Sequence, residues 1–277
     1  QKAQPSKDMQ KRLLNIIDFF SYSLYANVCR SLLEKDKLLF SFLMTVRLQQ
    51  EVGDIDYAEW YFLITGGVVT ENPHKNPAKE WLSDKAWGEI CRIADLAAFP
   101  GLRHTFQGNA SEWRHIYDSS DPENENLPGD WDKNLGQFQK MLILRAIRPD
   151  KIVVAVRSFV MNSLGDRFVK PPPFDLAACY EDSSVTSPLV FVLSAGSDPM
   201  AGLLKFVHDQ GNVTLHTISL GQGQGPKAEI LMKNSMKDGS WVILQNCHLA
   251  TSWMPSLERI CEQLKPNDCK SSYRLWC

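Results

Sequence analysis

The chain of 277 residues lacks long apolar runs and any large excess of charge of one sign. No stretch approaches the roughly 20 apolar residues that a membrane-spanning helix needs, and the opening segment QKAQPSKDMQKR has no signal-peptide core. A formal charge of −2 provides no electrostatic footprint for nucleic acid or for an acidic membrane. We therefore predict a chain that binds neither nucleic acid nor a membrane.

The seven cysteines lack a pairing pattern, since their number is odd and no two of them form a C-x-x-C motif. This scatter favours reduced thiols in the cytosol over a disulfide framework or a zinc site. The six histidines show no metal-ligand spacing, and neither a catalytic triad nor a carboxylate pair stands out. The sequence thus predicts no metal site and no catalytic residue.

The first half of the chain has the apolar spacing of helices, and the length favours two domains over one. Helices are predicted over residues 11–32, 39–46, 56–64, 84–98, 135–147 and 151–164. The charged segment at residues 34–37 interrupts the first pattern, which predicts two long helices or one with a break. The acidic residues 118–132 predict a solvated surface loop.

The second half alternates between strand and helix patterns. The prolines Pro171, Pro172 and Pro173 prevent a helix, which predicts a linker at residues 171–188 between domains at 1–170 and 189–277. Strands are predicted at 189–194, 213–219, 241–245 and 272–277, and helices at 200–209, 226–237 and 252–264. The fold class is therefore α/β, with an all-α helical subdomain followed by a P-loop-type parallel sheet. Because the last predicted strand runs to the final residue, we expect the sheet to be incomplete and the chain to be a fragment.

Residues 189–204 (LVFVLSAGSDPMAGLL) have the layout of a phosphate-binding loop without its chemistry. The candidate residues of this degenerate P-loop are Gly196, Ser197, Asp198, Pro199, Gly202, Leu203 and Leu204. A working loop, G-x-x-x-x-G-K-[ST], needs a lysine for the terminal phosphates and a hydroxyl for magnesium. Here the two glycines are one residue too far apart, and Leu203 and Leu204 replace the lysine and the hydroxyl.

The apolar strand at residues 241–244 should end in acidic residues that hold magnesium, but it ends in Gln245 and Asn246, which are neutral amides. Two possibilities stay open for the loop. Backbone N–H groups at a helix start can bind an anion without lysine, whereas Asp198 would repel phosphate and could instead cap the helix near Pro199. The missing lysine and acids argue against tight nucleotide binding.

Three further motifs have a structural and a functional interpretation. The glycine run at residues 221–225 departs from the Rossmann spacing and favours a tight strand-to-helix connection. Cys247 and His248 are adjacent in sequence and rarely would face each other as nucleophile and base. Arg145 and Arg148 lie three apart on one helical face and could contact a neighbouring module, although a salt bridge to the acidic loop or to Asp150 is the simpler interpretation.

Four segments, PLVFVLSAGSDP, TISLGQGQ, GSWVILQNCHLA and YRLW, together resemble the sixth AAA+ module of dynein heavy chains. Upstream, LLEKDKLLFSFLMTVRL, LLILRAIRPDKI and NSLGDRFV resemble the helical small subdomain that closes the fifth module and the segment that joins it to the sixth. The resemblance spans essentially the whole chain and is closer to axonemal than to cytoplasmic dyneins.

In this family six AAA+ modules form a ring, and the sixth is non-catalytic. The resemblance implies a structural, force-transmitting segment of an ATP-driven, minus-end-directed microtubule motor of the ciliary or flagellar axoneme. It implies no cofactor in this segment, with ATP and magnesium bound elsewhere in the parent chain. The implied partners are neighbouring modules, microtubules contacted through other parts of the chain, and dynein intermediate and light chains. The alternatives are a nucleotide-binding module with an atypical P-loop and a stand-alone scaffold domain.

Overall fold

The computed structural model describes residues 3–67, 72–193, 196–211 and 213–277. The chain divides into two compact units, Gln1–Pro172 and Pro173–Cys277. Among the described residues, no helix has both the length and the apolar character needed to cross a membrane. The first unit is built from helices and the second contains a parallel sheet, so the predicted fold class is confirmed.

The described part of the first unit consists of α-helices joined by turns. They are α1 (Met9–Cys29), α2 (Glu34–Val52), α3 (Tyr57–Thr65), α4 (Asp84–Ile93), α5 (Leu102–Gly108), α6 (Ala110–Asp118), α7 (Trp131–Asn134), α8 (Gln137–Ile147) and α9 (Ile152–Leu164). Side-chain caps start several of them, since Asp8, Asp56 and Ser83 each accept a hydrogen bond from a backbone N–H of the first turn. Left-handed Gly53 and Gly66 end α2 and α3.

The boundaries of two predicted helices were wrong. The break between α1 and α2 lies at residues 30–33, and the charged segment that follows forms the first turn of α2. The carboxylates of Glu34 and Asp36 lie at the positive end of the helix dipole there, which explains why they start the helix. The helix predicted over 84–98 ends at Ile93, and the short helices α5 and α6 were not predicted.

In the core of the first unit, α1 and α2 pack against the turn that follows α9. Phe168 is buried, and its ring packs edge-on against Tyr22 at a centroid distance of 5.6 Å. The Ser41 hydroxyl donates a 2.6 Å hydrogen bond to the Phe168 carbonyl oxygen. Gly165, with φ of 100°, provides the backbone turn that brings Phe168 to this position. Residues that lie far apart in sequence thus close one helical core.

The acidic loop before α8 is exposed in part only. Leu127 is buried, and its N–H donates to the Asp132 carboxylate at 3.1 Å. The same carboxylate accepts a 2.6 Å hydrogen bond from Lys140, which lies on α8. Leu127 and the Asp132–Lys140 ion pair therefore help to anchor the loop to the helical core, and it is not the fully solvated connection that its composition predicts.

The predicted linker contains a helix. In the second unit, α10 (Leu176–Glu181) lies within residues 171–188, and Asp175 caps it by accepting a hydrogen bond from Ala178 N. Leu176 and Tyr180 pack against the buried cluster of the second unit. The three prolines thus prevent a helix only at the first residues of the segment, and its role as the linker between domains stays a prediction.

Among its described residues, the second unit also contains three parallel strands and three further α-helices. The strands are β1 (Leu215–Ser219), β2 (Trp241–Gln245) and β3 (Arg274–Trp276), and the helices are α11 (Met200–Asp209), α12 (Gly225–Asp238) and α13 (Met254–Gln263). The order is β1-β2-β3, and β2 is parallel to both neighbours. Trp241 and Ile243 pack into one buried cluster, whereas Val242 and Leu244 pack into another. Both faces of the central strand are covered, which accounts for its continuous apolar sequence.

The strand predicted at 189–194 is not a regular strand. Leu189 forms a single parallel bridge with Trp276, supported by hydrogen bonds from Leu189 N to Leu275 O and from Cys277 N to Leu189 O, both 2.8 Å. Phe191 N adds a 2.7 Å bond to Cys277 O. This segment therefore lies on the side of β3 opposite β2. Residues 194 and 195, at its end, lie outside the described residues.

Candidate functional site

The turn that leads into α11 is organised by a carboxylate. Gly196 has φ of 81°, a conformation that favours glycine, and Asp198 accepts a 2.9 Å hydrogen bond from the backbone N–H of Met200. The helix starts at Met200, directly after Pro199. Asp198 precedes the N-cap residue Pro199, and its carboxylate binds the N–H of the first helical residue. One of the N–H groups that an anion would need therefore already binds the protein's own carboxylate.

Leu203 and Leu204 face different environments. The side chain of Leu203 is 2% exposed and packs in the cluster of Trp241, Ile243 and Trp276, whereas Leu204 is 49% exposed. The two side chains point in different directions because consecutive helical residues are rotated by roughly 100° about the helix axis. The position where a P-loop has its lysine therefore points into an apolar core.

Gln245 and Asn246 close the carboxyl end of β2. Gln245 pairs with Ser219 of β1, and its carbonyl oxygen accepts a 2.8 Å hydrogen bond from Leu220 N. Asn246 has φ of 56°, in the left-handed region that asparagine tolerates better than most residues. Its side-chain amide donates a 3.0 Å hydrogen bond to the Ser219 hydroxyl. Because β3 separates β2 from the segment that bears Gly196, this amide bonds away from the degenerate P-loop.

Arg145 and Arg148 each have partners within the first unit. Arg145 donates to Glu89 at 2.7 Å and its guanidinium lies 5.7 Å from the centre of the Phe62 ring. Arg148 forms two bonds of 2.8 and 2.9 Å with Asp150, which hold the pKa of that carboxyl below its usual value. The predicted salt bridge to Asp150 is confirmed, whereas Glu89 had not been foreseen as the partner of Arg145.

Arg148 also contacts the start of the acidic segment. Its guanidinium donates to the carbonyl oxygens of Tyr117 at 2.5 Å and Ser119 at 2.9 Å. Carbonyl acceptors do not appear in a sequence pattern, so this contact could not be predicted from residue types. The contact of either arginine with a neighbouring module stays a prediction.

The glycine run joins β1 to α12. Gly223 has φ of 77°, and a Cβ atom built on Gly225 would lie 2.5 Å from Cδ1 of Trp253. Pro226 follows in the first turn of α12, where its missing N–H costs nothing. The interpretation as a tight strand-to-helix connection is confirmed, since the indole ring covers the start of this helix and leaves no room for a side chain.

Cys247 and His248 do not form a catalytic pair. The Cys247 thiol donates to Leu244 O at 3.3 Å, and the His248 side chain is exposed in the turn that follows β2. Across the described ranges, no three histidine, cysteine or acidic side chains lie close enough to bind a metal ion together. One contact was missed by sequence reasoning: Cys247 lies against Cys277, and no local pattern relates residues so far apart.

Comparison with known proteins gives concordant matches. Residues 184–277 match the family model described as the dynein heavy chain region D6 P-loop domain. Over 98% of its length the chain is 54% identical to human dynein axonemal heavy chain 12, of which it covers 9%, and 51% identical to human dynein axonemal heavy chain 3, of which it covers 7%. Over 99% of its length it is 46% identical to human dynein axonemal heavy chain 1, of which it covers 6%. The chain thus spans less than a tenth of each of these relatives.

Proposed function

Because the chain belongs to the dynein heavy chain family, we propose that it is a non-catalytic segment that transmits force within the AAA+ ring of a dynein motor. Residues 1–170 would close the fifth module and residues 189–277 would begin the sixth. The motor would be an ATP-driven, minus-end-directed microtubule motor in the axonemal cytoskeleton of a cilium or flagellum. Its partners would be the neighbouring modules, microtubules, and dynein intermediate and light chains.

One observation carries the non-catalytic part of this proposal: the burial of Leu203 against Trp241 and Trp276. A lysine at this position would have to leave the core of the second unit to reach a phosphate. The neutral Gln245 and Asn246 do not provide the carboxylates that magnesium prefers. The residues of this chain therefore do not fit ATP and Mg²⁺, and we assign them no step in hydrolysis.

The force-transmitting part follows from packing. Leu203 lies on α11 and contacts aromatic residues of β2 and β3, so a displacement of the helix is passed to the strands by direct contact. Close-packed interiors have low compressibility and transmit strain. Leu203, which occupies the position of the P-loop lysine, would thus couple the movement of α11 to that of β2 and β3.

The non-catalytic proposal is tested by titrating ATP with Mg²⁺, and separately ADP, into the 277-residue chain and following heat and tryptophan fluorescence. We expect no saturable change up to millimolar nucleotide. Saturation at micromolar nucleotide would support the alternative of an atypical nucleotide-binding module. Asp198→Ala provides a second arm: if the carboxylate alone excludes phosphate, this variant will bind nucleotide where the parent chain does not.

The mechanical proposal is tested in a complete heavy chain by changing Leu203→Ala, with Leu204→Ala as the matched exposed control. We expect slower microtubule gliding for Leu203→Ala with unchanged nucleotide affinity at the catalytic module. Leu204→Ala should glide at the parent rate. Equal gliding velocities for both variants, each shown to be folded, would overturn the mechanical proposal.

A further inference from the structure

Two cysteines lie together at the carboxyl edge of the sheet. Cys247 follows β2, and Cys277 follows β3, its parallel neighbour. The register pairs Ile243 with Trp276, which places Cys277 beside the next residue of β2, Leu244. The carbonyl oxygen of Leu244 is the acceptor for the Cys247 thiol at 3.3 Å. The register of the strands therefore places both cysteines next to Leu244.

The two thiols, which the strand register brings near each other, differ in their acidity. A hydrogen bond from Cys277 lowers the pKa of Cys247 to about 7. The same bond, together with burial, raises the pKa of the donating Cys277 thiol. The thiolate is the nucleophilic form of cysteine, so Cys247 is the member of the pair that would react first with an electrophile.

The lowered pKa of Cys247 distinguishes it from Cys261 and Cys269, which pack against the same cluster. Cys247 and Cys277 are half-buried side chains that pack at the margin of the cluster formed by Leu244, Leu275 and Tyr273. Cys261 and Cys269 pack against the same cluster, and burial raises the pKa of both thiols. A reactive thiolate with an adjacent resolving thiol is the arrangement found in redox-responsive cysteine pairs.

We propose that Cys247 and Cys277 form a reversible disulfide when the protein meets hydrogen peroxide. The Cys247 thiolate attacks one peroxide oxygen, the O–O bond breaks, an S–O bond forms, and hydroxide leaves. The Cys277 sulfur then attacks the sulfenic sulfur, the S–S bond forms, and the S–O bond breaks. The oxygen leaves as water with the Cys277 proton, so two thiols supply the two electrons that reduce one peroxide. A small dithiol such as dithiothreitol returns the pair to thiols.

The consequence would be a covalent link between the ends of β2 and β3. Gln245 and Asn246 lie directly before Cys247, so the link would hold the carboxyl end of β2 to its neighbour on the side away from Ser219. This modification site is independent of nucleotide chemistry and does not rest on the proposed mechanical role.

The experiment uses a complete heavy chain that contains this segment. The protein is treated with hydrogen peroxide, free thiols are alkylated, and tryptic peptides are analysed by mass spectrometry. Cys247 lies in the tryptic peptide 238–259, which has no other cysteine, whereas Cys261 and Cys269 share the peptide 260–270. Cys277 lies in a third peptide that starts at Leu275. The peptide masses therefore distinguish Cys277 from Cys261 and Cys269 as the partner of Cys247.

We expect the link between Cys247 and Cys277 to increase at least tenfold with peroxide and to disappear with dithiothreitol. Cys261→Ser should leave it unchanged, and Cys277→Ser should abolish it while a sulfenic acid on Cys247 becomes trappable with dimedone. The absence of the linked peptide in the peroxide-treated parent protein would overturn the proposal. Equal linkage of Cys247 to the peptide 260–270 would do so as well.

Discussion

At the scale of single residues, the consecutive leucines Leu203 and Leu204 of α11 differ in burial because they point in different directions from the helix axis. Leu203 is buried among aromatic rings and Leu204 is half-exposed, so a polar substitution should cost much more stability at Leu203 than at Leu204. The difference arises from the helical geometry alone, because both side chains are branched and apolar. Restoring P-loop residue types at these positions therefore tests two different properties of the module.

Leu203→Lys is expected to destabilise the second unit by several kcal/mol because it places an ammonium group against Trp241 and Trp276. Leu204→Thr should change the free energy of unfolding by less than about 1 kcal/mol, because it lies on the exposed side of the helix. Neither variant, nor the pair, should hydrolyse ATP. Chemical denaturation and basal ATPase measurements check this, and new hydrolysis in the double variant would contradict it.

Asn246 combines a left-handed backbone with a side-chain hydrogen bond, and the two contributions can be separated. Asn246→Gly tolerates the left-handed backbone but loses the hydrogen bond to Ser219. Asn246→Ala loses this bond and also strains the left-handed backbone. The alanine variant should therefore be less stable than the glycine variant by about 1 kcal/mol. Ser219→Ala, which removes only the bond, should match Asn246→Gly. Denaturation midpoints decide the matter, and equal stability of the alanine and glycine variants would exclude backbone strain.

At the scale of the element, two glycines inside helices have opposite surroundings. Gly225 begins α12 under the ring of Trp253, whereas a Cβ atom on Gly202 of α11 would meet no atom within 4 Å. Helix propensity favours alanine over glycine in both helices, so any difference between them must come from packing. Alanine substitutions at the two positions therefore measure how closely each helix packs against its neighbours.

Gly225→Ala should destabilise the second unit by about 1–3 kcal/mol, because the new methyl group overlaps the indole ring. Gly202→Ala should stabilise it by about 0.5–1 kcal/mol. In a Trp253→Leu background the cost of Gly225→Ala should shrink, which a double-mutant cycle measures. A cost that is unchanged in that background would show that Trp253 is not the obstacle.

The start of α3 contains a buried carboxylate whose ionisation opposes folding. Glu59 is 4% exposed, and one of its oxygens accepts a 2.7 Å hydrogen bond from Gln139 of α8. Burial raises the pKa of Glu59 above its usual value, an effect that is only partly offset by the bonds it accepts from Gln139 and from Asp56 N–H. Since the folded state binds this proton more tightly than the unfolded chain, stability from this group is complete at low pH and decreases as pH rises through the raised pKa.

Comparison of the parent chain with Glu59→Gln checks this sign. The free energy of unfolding of the parent, minus that of the variant, should become smaller as pH rises from below 4.5, the ordinary value for glutamate, towards neutrality. Denaturant titrations at several pH values measure the difference at each point. A difference that stays constant, or that grows with pH, would show that burial does not control this carboxyl.

At the scale of the whole molecule, sequence patterns predicted the class of each element better than its partners. The apolar run 241–244 predicted a strand of a parallel sheet that is covered on both faces, and β2 has this environment at the centre of the sheet. The described residues 189–193 are also apolar yet form a single bridge, since pairing depends on a neighbour and not on the segment itself. The same reason applies to Glu89 and Arg145, and to Cys247 and Cys277. Contacts between distant residues leave no local pattern.

The bridge between Leu189 and Trp276 has a consequence for the synthesis of the protein. The ribosome makes Leu189 roughly 90 residues before its partner, which corresponds to several seconds at about 5–20 residues per second. During that interval the backbone N–H groups of Leu189 and Phe191 lack the carbonyl partners that Leu275 and Cys277 later provide. Such unpaired segments are prone to aggregate. The order of the strands along the chain therefore creates a period in translation when a chaperone has a defined segment to protect.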